Sequence, residues 1–338
     1  MKKQYKFSTS TVDYYFSAQI SHLKNIVDFK NSIIITDENI FKLYAKKFKE
    51  WNVIVLNPGE KYKIQATIDS VINKLIAMNA DRTTTLVGVG GGVVTDITGY
   101  VASVYLRGID FGFLPTTLLA MVDASIGGKN GVDVDSFKNM VGTIRQPKFI
   151  LYDREFLKTL PENEWRNGFA EIIKHACIKD ADMFRQLEMH SIKKYQKNKK
   201  ALQELIKRNV ELKTKLVQRD EFEKGERRLL NFGHTIGHAV EKEYELSHGQ
   251  AVSIGMTYAS LISEKLIGFK ESKRVINLLA KYDLPTFAEF DRKKIFEIVK
   301  KDKKRVAQEI NYVLLEKIGK GVLKSIPIEK LKNSIQEF

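Results

Sequence analysis

Residues 84–94 read TTLVGVGGGVV, a short β-rich run that passes into glycines and then into valines. Such a run predicts a buried strand, a tight turn and a helix, the basic unit of a parallel α/β sheet. Glycines in this turn let the backbone approach a phosphate, and the N-terminus of the following helix favours negative charge. The stretch lacks the G-x-G-x-x-G fingerprint because Val93 occupies the third glycine position. A tight structural turn without a ligand is the alternative interpretation.

The segments around this turn extend the same pattern in both directions. Residues 32–35 (SIII), 53–56 (VIVL) and 111–114 (FGFL) predict further buried strands, and apolar residues recur at helical spacing over 64–76. Ligands bind at the carboxyl ends of parallel strands, where the polar and glycine-rich turns of this region lie. We therefore predict an N-terminal, nucleotide-binding α/β domain with a parallel sheet over residues 1–155.

The second half of the chain is dominated by long helical patterns over residues 162–178, 195–222 and 250–267. A small hairpin is predicted over 312–323, and we find no internal repeat. The sequence thus predicts a mainly α-helical C-terminal domain over residues 156–338. The expected fold class is α/β, with the sheet domain first and the helical domain second.

The composition is ordinary for a globular protein, with 338 residues, of which 43% are hydrophobic and 29% charged. The single cysteine, Cys177, excludes an internal disulfide and fits a reducing compartment. The N-terminus lacks the apolar core of a signal peptide, and no run approaches the roughly 18 apolar residues of a membrane span. We expect a cytoplasmic protein without a membrane partner.

The net charge of +15, from 56 basic and 41 acidic residues, raises the question of nucleic-acid binding. The lysines are spread along the chain rather than clustered with aromatic residues, and no nucleic-acid-binding motif is present. We therefore expect no nucleic-acid partner. Most of the charge is expected on a solvated surface, and part of it could serve an anionic small substrate.

Three of the six histidines, His234, His238 and His248, lie close together in the sequence. His234 and His238 are four residues apart and would share one face of a helix, as would Glu171 and His175 on another predicted helix. A carboxylate with two imidazoles leaves an open position on a tetrahedral divalent metal. Spacing alone favours the alternative of histidines buried by helix packing, and it does not say which residues would be ligands.

Nine segments in a fixed order carry a resemblance over nearly the whole chain. They are GVGGGVVTDITGYVAS, YLRGIDF, LPTTLLAMVDASIGGKNGVD, KNMVGTIRQPK, LKTLPENEW, GFAEIIKH, GERRLLNFGHTIGHA, HGQAVSIGM and DKK. In these segments the chain resembles the 3-dehydroquinate synthase family. The resemblance, rather than composition or periodicity, is what indicates a reaction.

The resemblance implies a bound NAD and one divalent metal, zinc or cobalt. By motif, the metal ligands would be Glu171, His234 and His248, which leaves His175 without a role. The implied NAD contacts are Asp37, Glu60, Lys63, Gly91, Gly92, Val93, Asp96, Thr116, Thr117 and Lys129. Carboxylates suit sugar hydroxyls, and glycine amides suit a pyrophosphate.

The implied substrate is 3-deoxy-D-arabino-heptulosonate 7-phosphate, which the family converts to 3-dehydroquinate and phosphate in aromatic amino acid biosynthesis. The steps are a transient oxidation by NAD, phosphate elimination, re-reduction and an intramolecular aldol closure. The family generally forms homodimers, in which Arg107 or a C-terminal lysine could serve the neighbouring subunit. The implied substrate and catalytic residues are Arg107, Asp123, Lys129, Asn139, Lys174, Lys213, Arg227, Asn231, His238 and one lysine of Lys303 and Lys304.

Several positions depart from the family's usual residues, and Asn130, Arg145 and Gln250 among them bear on substrate specificity. Asn130 stands for threonine, Asp133 for asparagine, Thr143-Ile144-Arg145 for Ala-Phe-His, and Gln250 for glutamate beside His248. The alternatives are another sugar phosphate cyclase, such as a 2-epi-5-epi-valiolone or 2-deoxy-scyllo-inosose synthase, and a metal-dependent polyol dehydrogenase. A catalytically inactive or nucleic-acid-binding protein is a further alternative.

Overall fold

The computed structural model describes residues 1–135, 137–300, 305–306 and 308–337. The chain forms two compact units: unit 1 comprises Met1–Pro161 and Leu205–Phe222, and unit 2 comprises Glu162–Glu204 and Glu223–Phe338. Residues 205–222 thus pack with unit 1, although the sequence predicts them in the second domain. The contiguous domain division at 155/156 stays a prediction. Within the described residues, no helix combines the length and the apolar character that a membrane crossing requires.

Unit 1 is built around a sheet and the helices that follow its strands. Its strands are β1 (Lys2–Lys6), β2 (Thr11–Phe16), β3 (Ser32–Asp37), β4 (Asn52–Leu56), β5 (Thr85–Gly90), β6 (Asp110–Pro115), β7 (Lys129–Val134), β8 (Phe137–Ile144) and β9 (Phe149–Tyr152); its helices include α1 (Glu38–Phe48), α2 (Gln65–Ala77) and α3 (Gly92–Val104).

Seven of these strands form one sheet in the order β1-β2-β9-β6-β5-β3-β4. β1 pairs with β2 antiparallel, and the other neighbouring pairs are parallel, which confirms the predicted parallel sheet. The centre of the sheet is apolar: Ile34, Val87, Leu114 and Leu151 are fully buried. Strands covered on both faces read as continuous apolar runs, which is why their positions could be predicted. β7 and β8 form a separate antiparallel pair.

The glycine-rich turn is shorter than the sequence suggested. β5 continues to Gly90 and α3 begins at Gly92, so Gly91 alone separates strand from helix. The glycines inside the strand serve packing: a Cβ on Gly90 would lie 2.5 Å from the side chain of Val94, so the helix can return closely over the strand. This strand-turn-helix join places the first turn of α3 at the carboxyl edge of the sheet.

The strand order reverses beside β3, which lies between β4 and β5. The chain leaves β3 towards β4 on one side and returns on the other side with β5. At such a reversal the connecting segments diverge and leave a crevice outside the carboxyl ends of the strands. Asp37 ends β3 and Gly91 follows β5, so both predicted cofactor residues flank this crevice.

Unit 2 is mainly helical, as predicted, with a small antiparallel sheet. Within the helical pattern predicted over 195–222, the chain breaks at Asn198, whose side chain accepts a hydrogen bond from the amide of Ala201 (3.0 Å) and caps a new helix. The elements are α4 (Glu162–Lys179), α5 (Ala181–Met189), α6 (Ile192–Lys197), α7 (Lys199–Arg219, most of which belongs to unit 1), α8 (His234–Tyr244), α9 (His248–Ile267), α10 (Ser272–Lys281), α11 (Arg292–Lys300), β10 (Arg305–Val306), β11 (Glu309–Lys317), β12 (Lys320–Pro327) and α12 (Ile328–Glu337).

Candidate active site

Three helices of unit 2 bring Glu171, His234 and His248 together. Oε1 of Glu171 lies 3.0 Å from Nε2 of His248 and 3.4 Å from Nε2 of His234. The three donor atoms lie within 4.8 Å of one another. Zinc bonds to nitrogen and oxygen of about 2.1 Å imply a separation of about 3.4 Å between the donors of a tetrahedral site. These residues therefore could hold a divalent ion of the zinc type.

Both histidines open a helix, and local hydrogen bonds orient them. Nδ1 of His234 lies 3.1 Å from the carbonyl of Phe232, which can only accept, so Nδ1 is the nitrogen placed to donate and Nε2 would be left for a metal. His248 is the first residue of α9, and its Nδ1 lies 3.7 Å from Oε1 of buried Glu241. A carboxylate behind a ligating imidazole fixes the ring and raises its basicity.

The α9 N-terminus is fastened by a reciprocal capping box. The amide of Ser247 donates to Oε1 of Gln250 (3.0 Å), and the amide of Gln250 donates to Oγ of Ser247. Asn167 of α4 accepts from Oγ of Ser247 (2.8 Å) and from the amide of Gly249 (3.1 Å). Gln250 therefore acts on the helix end that presents His248, a role that a glutamate could also fill.

The charges around the three donors differ in ways that matter for a metal. Burial alone would raise the pKa of Glu171, but the Lys174 ammonium and the two imidazoles hold this pKa well below its usual range. Burial and Lys174 lower the pKa of His234. Burial opposes the charge of His248, but Glu171 and Glu241 raise its pKa to about 10. A metal bound here would have to displace a proton from His248, so the metal affinity of the site should increase with pH.

The other predicted residues of unit 2 are polar or basic, and two of them, Lys174 and His238, contact this centre. Lys174 and Arg227 are almost fully buried, at 1% and 2% exposure, which is rare for such side chains. The amide nitrogen of Asn231 donates to Oε1 of Glu223 (2.7 Å). His238 lies one turn beyond His234 on α8, with 5.1 Å between the ring centroids. Lys303 and Lys304 lie outside the described residues.

In unit 1, the predicted cofactor residues meet around the start of α3. Gly92 and Val93 open this helix, and amides in a first helical turn have no acceptor within the helix. A Cβ on Gly91 would lie 3.1 Å from the side chain of Thr117. Oγ1 of Thr116 is buried and has no hydrogen-bond partner among the described residues. Free amides, an orphaned hydroxyl and a cradle that a Cβ would crowd fit the pyrophosphate of a dinucleotide.

Lys63 links several of the predicted residues on the same side of the sheet. Its Nζ lies 2.5 Å from Oδ2 of Asp96 and donates to Oδ1 of Asn139 (2.6 Å), while Glu60 lies 3.9 Å away. Burial opposes the charge of this amine, but Asp96 and Glu60 keep its pKa above the usual value. Asp37 caps α1 by accepting from the amide of Ile40 (3.0 Å).

Asp123 and Lys213 form a second polar centre within unit 1. Asp123 lies in a single π-helical turn, Ala120–Ala124, a rare conformation that is frequent at functional sites. Nζ of Lys213 donates to Oδ1 of Asp123 (2.8 Å) and to its carbonyl (2.7 Å). Lys129 begins β7 directly after Gly127 and Gly128, both of which have positive φ.

Several supporting residues could not be found by sequence reasoning. Glu241 faces Nδ1 of His248 from α8, Asn167 holds the cap beside His248 from α4, and Asp133 accepts from the amide of Asn139 (2.7 Å). Buried Glu221 accepts from Gln146 (2.8 Å) and from the amide of Ser8 (2.8 Å). Each of these contacts depends on how the elements pack in the folded chain, and no local sequence motif predicts it. The family usually has asparagine at position 133. The bond from the Asn139 amide needs only an acceptor oxygen there, which the carboxylate of Asp133 and the amide of an asparagine both supply.

Family models match most of the chain. The N-terminal 3-dehydroquinate synthase model matches residues 53–167, and the C-terminal model matches 168–305. The 3-dehydroquinate synthase of Pyrococcus abyssi is 40% identical over 329 residues, covering 94% of this chain and 97% of that protein. That of Campylobacter concisus is 37% identical over 318 residues, covering 90% and 91%.

Solved structures resemble the whole chain. A 2-deoxy-scyllo-inosose synthase in complex with carbaglucose-6-phosphate, NAD⁺ and Co²⁺ superposes with a TM-score of 0.87 at 26% identity, covering 100% of this chain and 99% of that one. The 2-epi-5-epi-valiolone synthase of Streptomyces hygroscopicus with NAD⁺ and Zn²⁺ also has a TM-score of 0.87, at 27% identity and with 99% and 97% coverage. A probable glycerol dehydrogenase from Sinorhizobium meliloti, at 15% identity, a TM-score of 0.66 and coverage of 96% and 95%, shares the fold alone.

Proposed function

Because the chain belongs to the 3-dehydroquinate synthase family, we propose that it converts 3-deoxy-D-arabino-heptulosonate 7-phosphate to 3-dehydroquinate and phosphate. The observation that carries the proposal is that the chain matches both the N-terminal and the C-terminal model of the family and also brings Glu171, His234 and His248 together in one cluster. In the cell this reaction would belong to aromatic amino acid biosynthesis through the shikimate pathway. The cytoplasmic location stays a prediction from the sequence.

We propose that the chain uses NAD and one divalent metal, zinc or cobalt. The two similar cyclase structures were solved with NAD⁺ and Co²⁺ or Zn²⁺. Glu171, His234 and His248 would hold the metal, and the amides of Gly92 and Val93 would receive the pyrophosphate. When bound, the two groups supply reversible hydride transfer and Lewis-acid polarisation of a substrate oxygen.

The side chains of this protein would chiefly bind and orient the substrate. Buried Arg227 offers a planar fork for a carboxylate or phosphate, and Lys174 adds a second buried cation. The bond from Asn231 to Glu223 orients its amide, which leaves the oxygen to accept from a hydroxyl. Likewise, Asn139 accepts from Lys63 and keeps its N–H groups as donors. Polar groups fixed in this way lower the activation barrier of the reaction, because they do not have to reorient as charge develops.

Other cyclases and a polyol dehydrogenase are the competing candidates. Identity is 37–41% to several 3-dehydroquinate synthases but 26–27% to the two other cyclases, which supports the first activity. The dehydrogenase candidate rests on likeness of fold. A dehydrogenase would accumulate NADH, whereas the proposed cyclase regenerates NAD in each turnover.

The deciding experiment is an assay with the heptulosonate phosphate, zinc or cobalt and a substoichiometric amount of NAD. We expect phosphate to be released in excess over NAD while NADH does not accumulate. Parallel reactions with a hexose 6-phosphate and with glycerol test the two competing classes. Absence of phosphate release from the heptulosonate phosphate by the metal-loaded protein would refute the proposal.

Variants of the proposed metal ligands and of the proposed substrate-binding residue Arg227 should separate effects on metal binding from effects on substrate binding. We expect Glu171→Ala or His248→Ala to abolish turnover and to weaken metal binding by at least tenfold in a chelator competition, because a ligand is lost. Arg227→Ala should damage substrate binding while the affinity for NAD, measured by fluorescence titration, is kept. Normal activity of either ligand variant at limiting metal would exclude this ligand set.

We further propose a homodimer, with Arg107 or one lysine of Lys303 and Lys304 serving the neighbouring subunit. The resemblance to the family is the support for this proposal. Sedimentation equilibrium of the metal-loaded protein gives the mass directly, and a monomer at micromolar concentration would contradict the proposal.

Nucleic-acid binding is not expected, and a salt-dependent shift of DNA mobility at physiological ionic strength would contradict that expectation.

A further inference from the structure

Asn130 and Arg145, two of the residues unusual for the family, meet in the hairpin of β7 and β8. The buried Asn130 amide donates to the carbonyl of Gly128 (2.8 Å) and to the carbonyl of Arg145 (3.0 Å). The backbone amide of Arg145 donates to the same Gly128 carbonyl (2.8 Å). A threonine has one O–H and cannot make both side-chain bonds. Asn130 therefore ties the start of β7, which carries Lys129, to the end of β8.

The Arg145 side chain continues this connection to the end of α3. Its Nη1 donates to the carbonyl of Ala102 (2.8 Å), and its Cζ lies 5.3 Å from the ring centroid of Phe111. A Cβ on Gly108 would lie 3.5 Å from Nη1, so the guanidinium runs alongside this glycine. A cation at the carbonyl end of a helix, over an aromatic ring, is held by both features.

The segment reached by Arg145 has an unusual backbone. Residues 106–108 have successive φ values of 48°, 67° and 119°, and the middle one is Arg107. Left-handed conformations at residues other than glycine are costly and persist where the surroundings impose them. The carbonyl of Ala102 accepts both from the amide of Ile109 (2.8 Å) and from Arg145. The contacts of Arg145 thus lie on both sides of Arg107 in the chain, at Ala102 before it and at Gly108 after it.

We propose that Asn130 and Arg145 are positioning residues that hold the backbone of Arg107 in register with that of Lys129. The inference rests on the proposed function, in which Arg107 and Lys129 contact the sugar phosphate. It also gives a different reason why Asn130 and Arg145 differ from the family's usual residues: both side chains donate to backbone carbonyls. They determine where the substrate-binding cations stand, and they need not touch the substrate themselves.

A double-variant cycle tests this role. We expect Arg145→Ala to raise KM for the heptulosonate phosphate about tenfold, with the KM for NAD and the metal affinity unchanged. Arg145→Lys should recover most of this loss because its ammonium can still donate to Ala102. In an Arg107→Ala background, Arg145→Ala should add little, since both changes remove the same interaction. Exposed Arg82 offers the control, and Arg82→Ala should change none of these values.

Two outcomes would overturn the inference. If the effects of R107A and R145A multiply, Arg145 does not act through Arg107. If R145A weakens NAD and metal binding as much as substrate binding, its role is a general structural one.

Hydrogen exchange keeps the test independent of the proposed reaction. We expect the Ile109 amide to exchange at least tenfold faster in R145A than in wild type, while amides of β5 keep their rates and R145K restores protection. Unchanged exchange at Ile109 would refute the positioning role even if the protein turns over another substrate. Absence of phosphate release by wild type, with the expected exchange pattern, would refute the proposed function alone.

Discussion

A single carboxylate behind His248 decides how well the imidazole is placed for a metal. Glu241 lies on α8, is buried, and faces Nδ1 of His248 at 3.7 Å, while Nε2 of the same ring faces Glu171. Partners of this kind orient ligands and increase their basicity, and their loss typically weakens a site by 10- to 100-fold, as an order of magnitude. The surroundings of His248 therefore contribute to the site as directly as the ligands do.

We expect Glu241→Gln to weaken metal affinity by about 10- to 100-fold while the fold is kept, because the amide matches the carboxylate in size but carries no charge. Competition with a coloured chelator measures the change. Glu243→Gln is the matched control: it lies on the same helix but pairs with Lys294. Equal affinities of E241Q and E243Q would show that Glu241 does not support the ligand.

At the scale of elements, the end of α9 decides where His248 stands. Ser247 and Gln250 cap this helix reciprocally, and Asn167 holds the cap from α4. We expect Ser247→Ala to lower the free energy of unfolding of the metal-free protein by about 1 kcal/mol. Gln250→Glu should change it by less than about 0.5 kcal/mol, because glutamate keeps the box and suits a helix N-terminus. Urea unfolding measures both, and a larger loss in Q250E than in S247A would contradict this account of the cap.

The elements also show what a sequence can and cannot predict. β3 and β5 could be predicted because a strand buried on both faces is a continuous apolar run. The edge strand Lys2–Lys6 (KKQYK) and the hairpin strand Lys129–Val134 (KNGVDV) could not, since polar and turn-forming residues dominate them. Pairing across the sheet, rather than local preference, makes them strands.

The site was predictable to a similar, partial extent. Spacing put His234 and His238 on one helix face without distinguishing a ligand from its neighbour, and resemblance to the family made that choice. The supports were out of reach because they depend on tertiary packing: Asn167 meets Gly249 across 82 positions, and Glu241 meets His248 from another helix. Arg145 and Gln250 suggested altered specificity, whereas the structure places both against backbone groups.

At the scale of the whole molecule, the single cysteine reports on the integrity of unit 2. Cys177 is fully buried in α4, and burial raises the pKa of its thiol, so thiolate is scarce at neutral pH. We expect the native protein to react with a thiol reagent on the order of 100-fold more slowly than the protein unfolded in urea. Absorbance at pH 8 follows the reaction. A native rate close to the unfolded rate would mean that α4 opens readily.

Helix α7 connects the two units in an order that matters for synthesis. The chain leaves unit 1 after Pro161 and re-enters it at Leu205, so the unit is complete only when Phe222 has been translated. Asp123 can pair with Lys213 only after a further 90 residues have been translated. By that time residues 162–204 of unit 2 have already been translated. Unit 1 therefore cannot be completed before the first part of unit 2 has been made, and a gene cut at residue 161 would deliver two incomplete products.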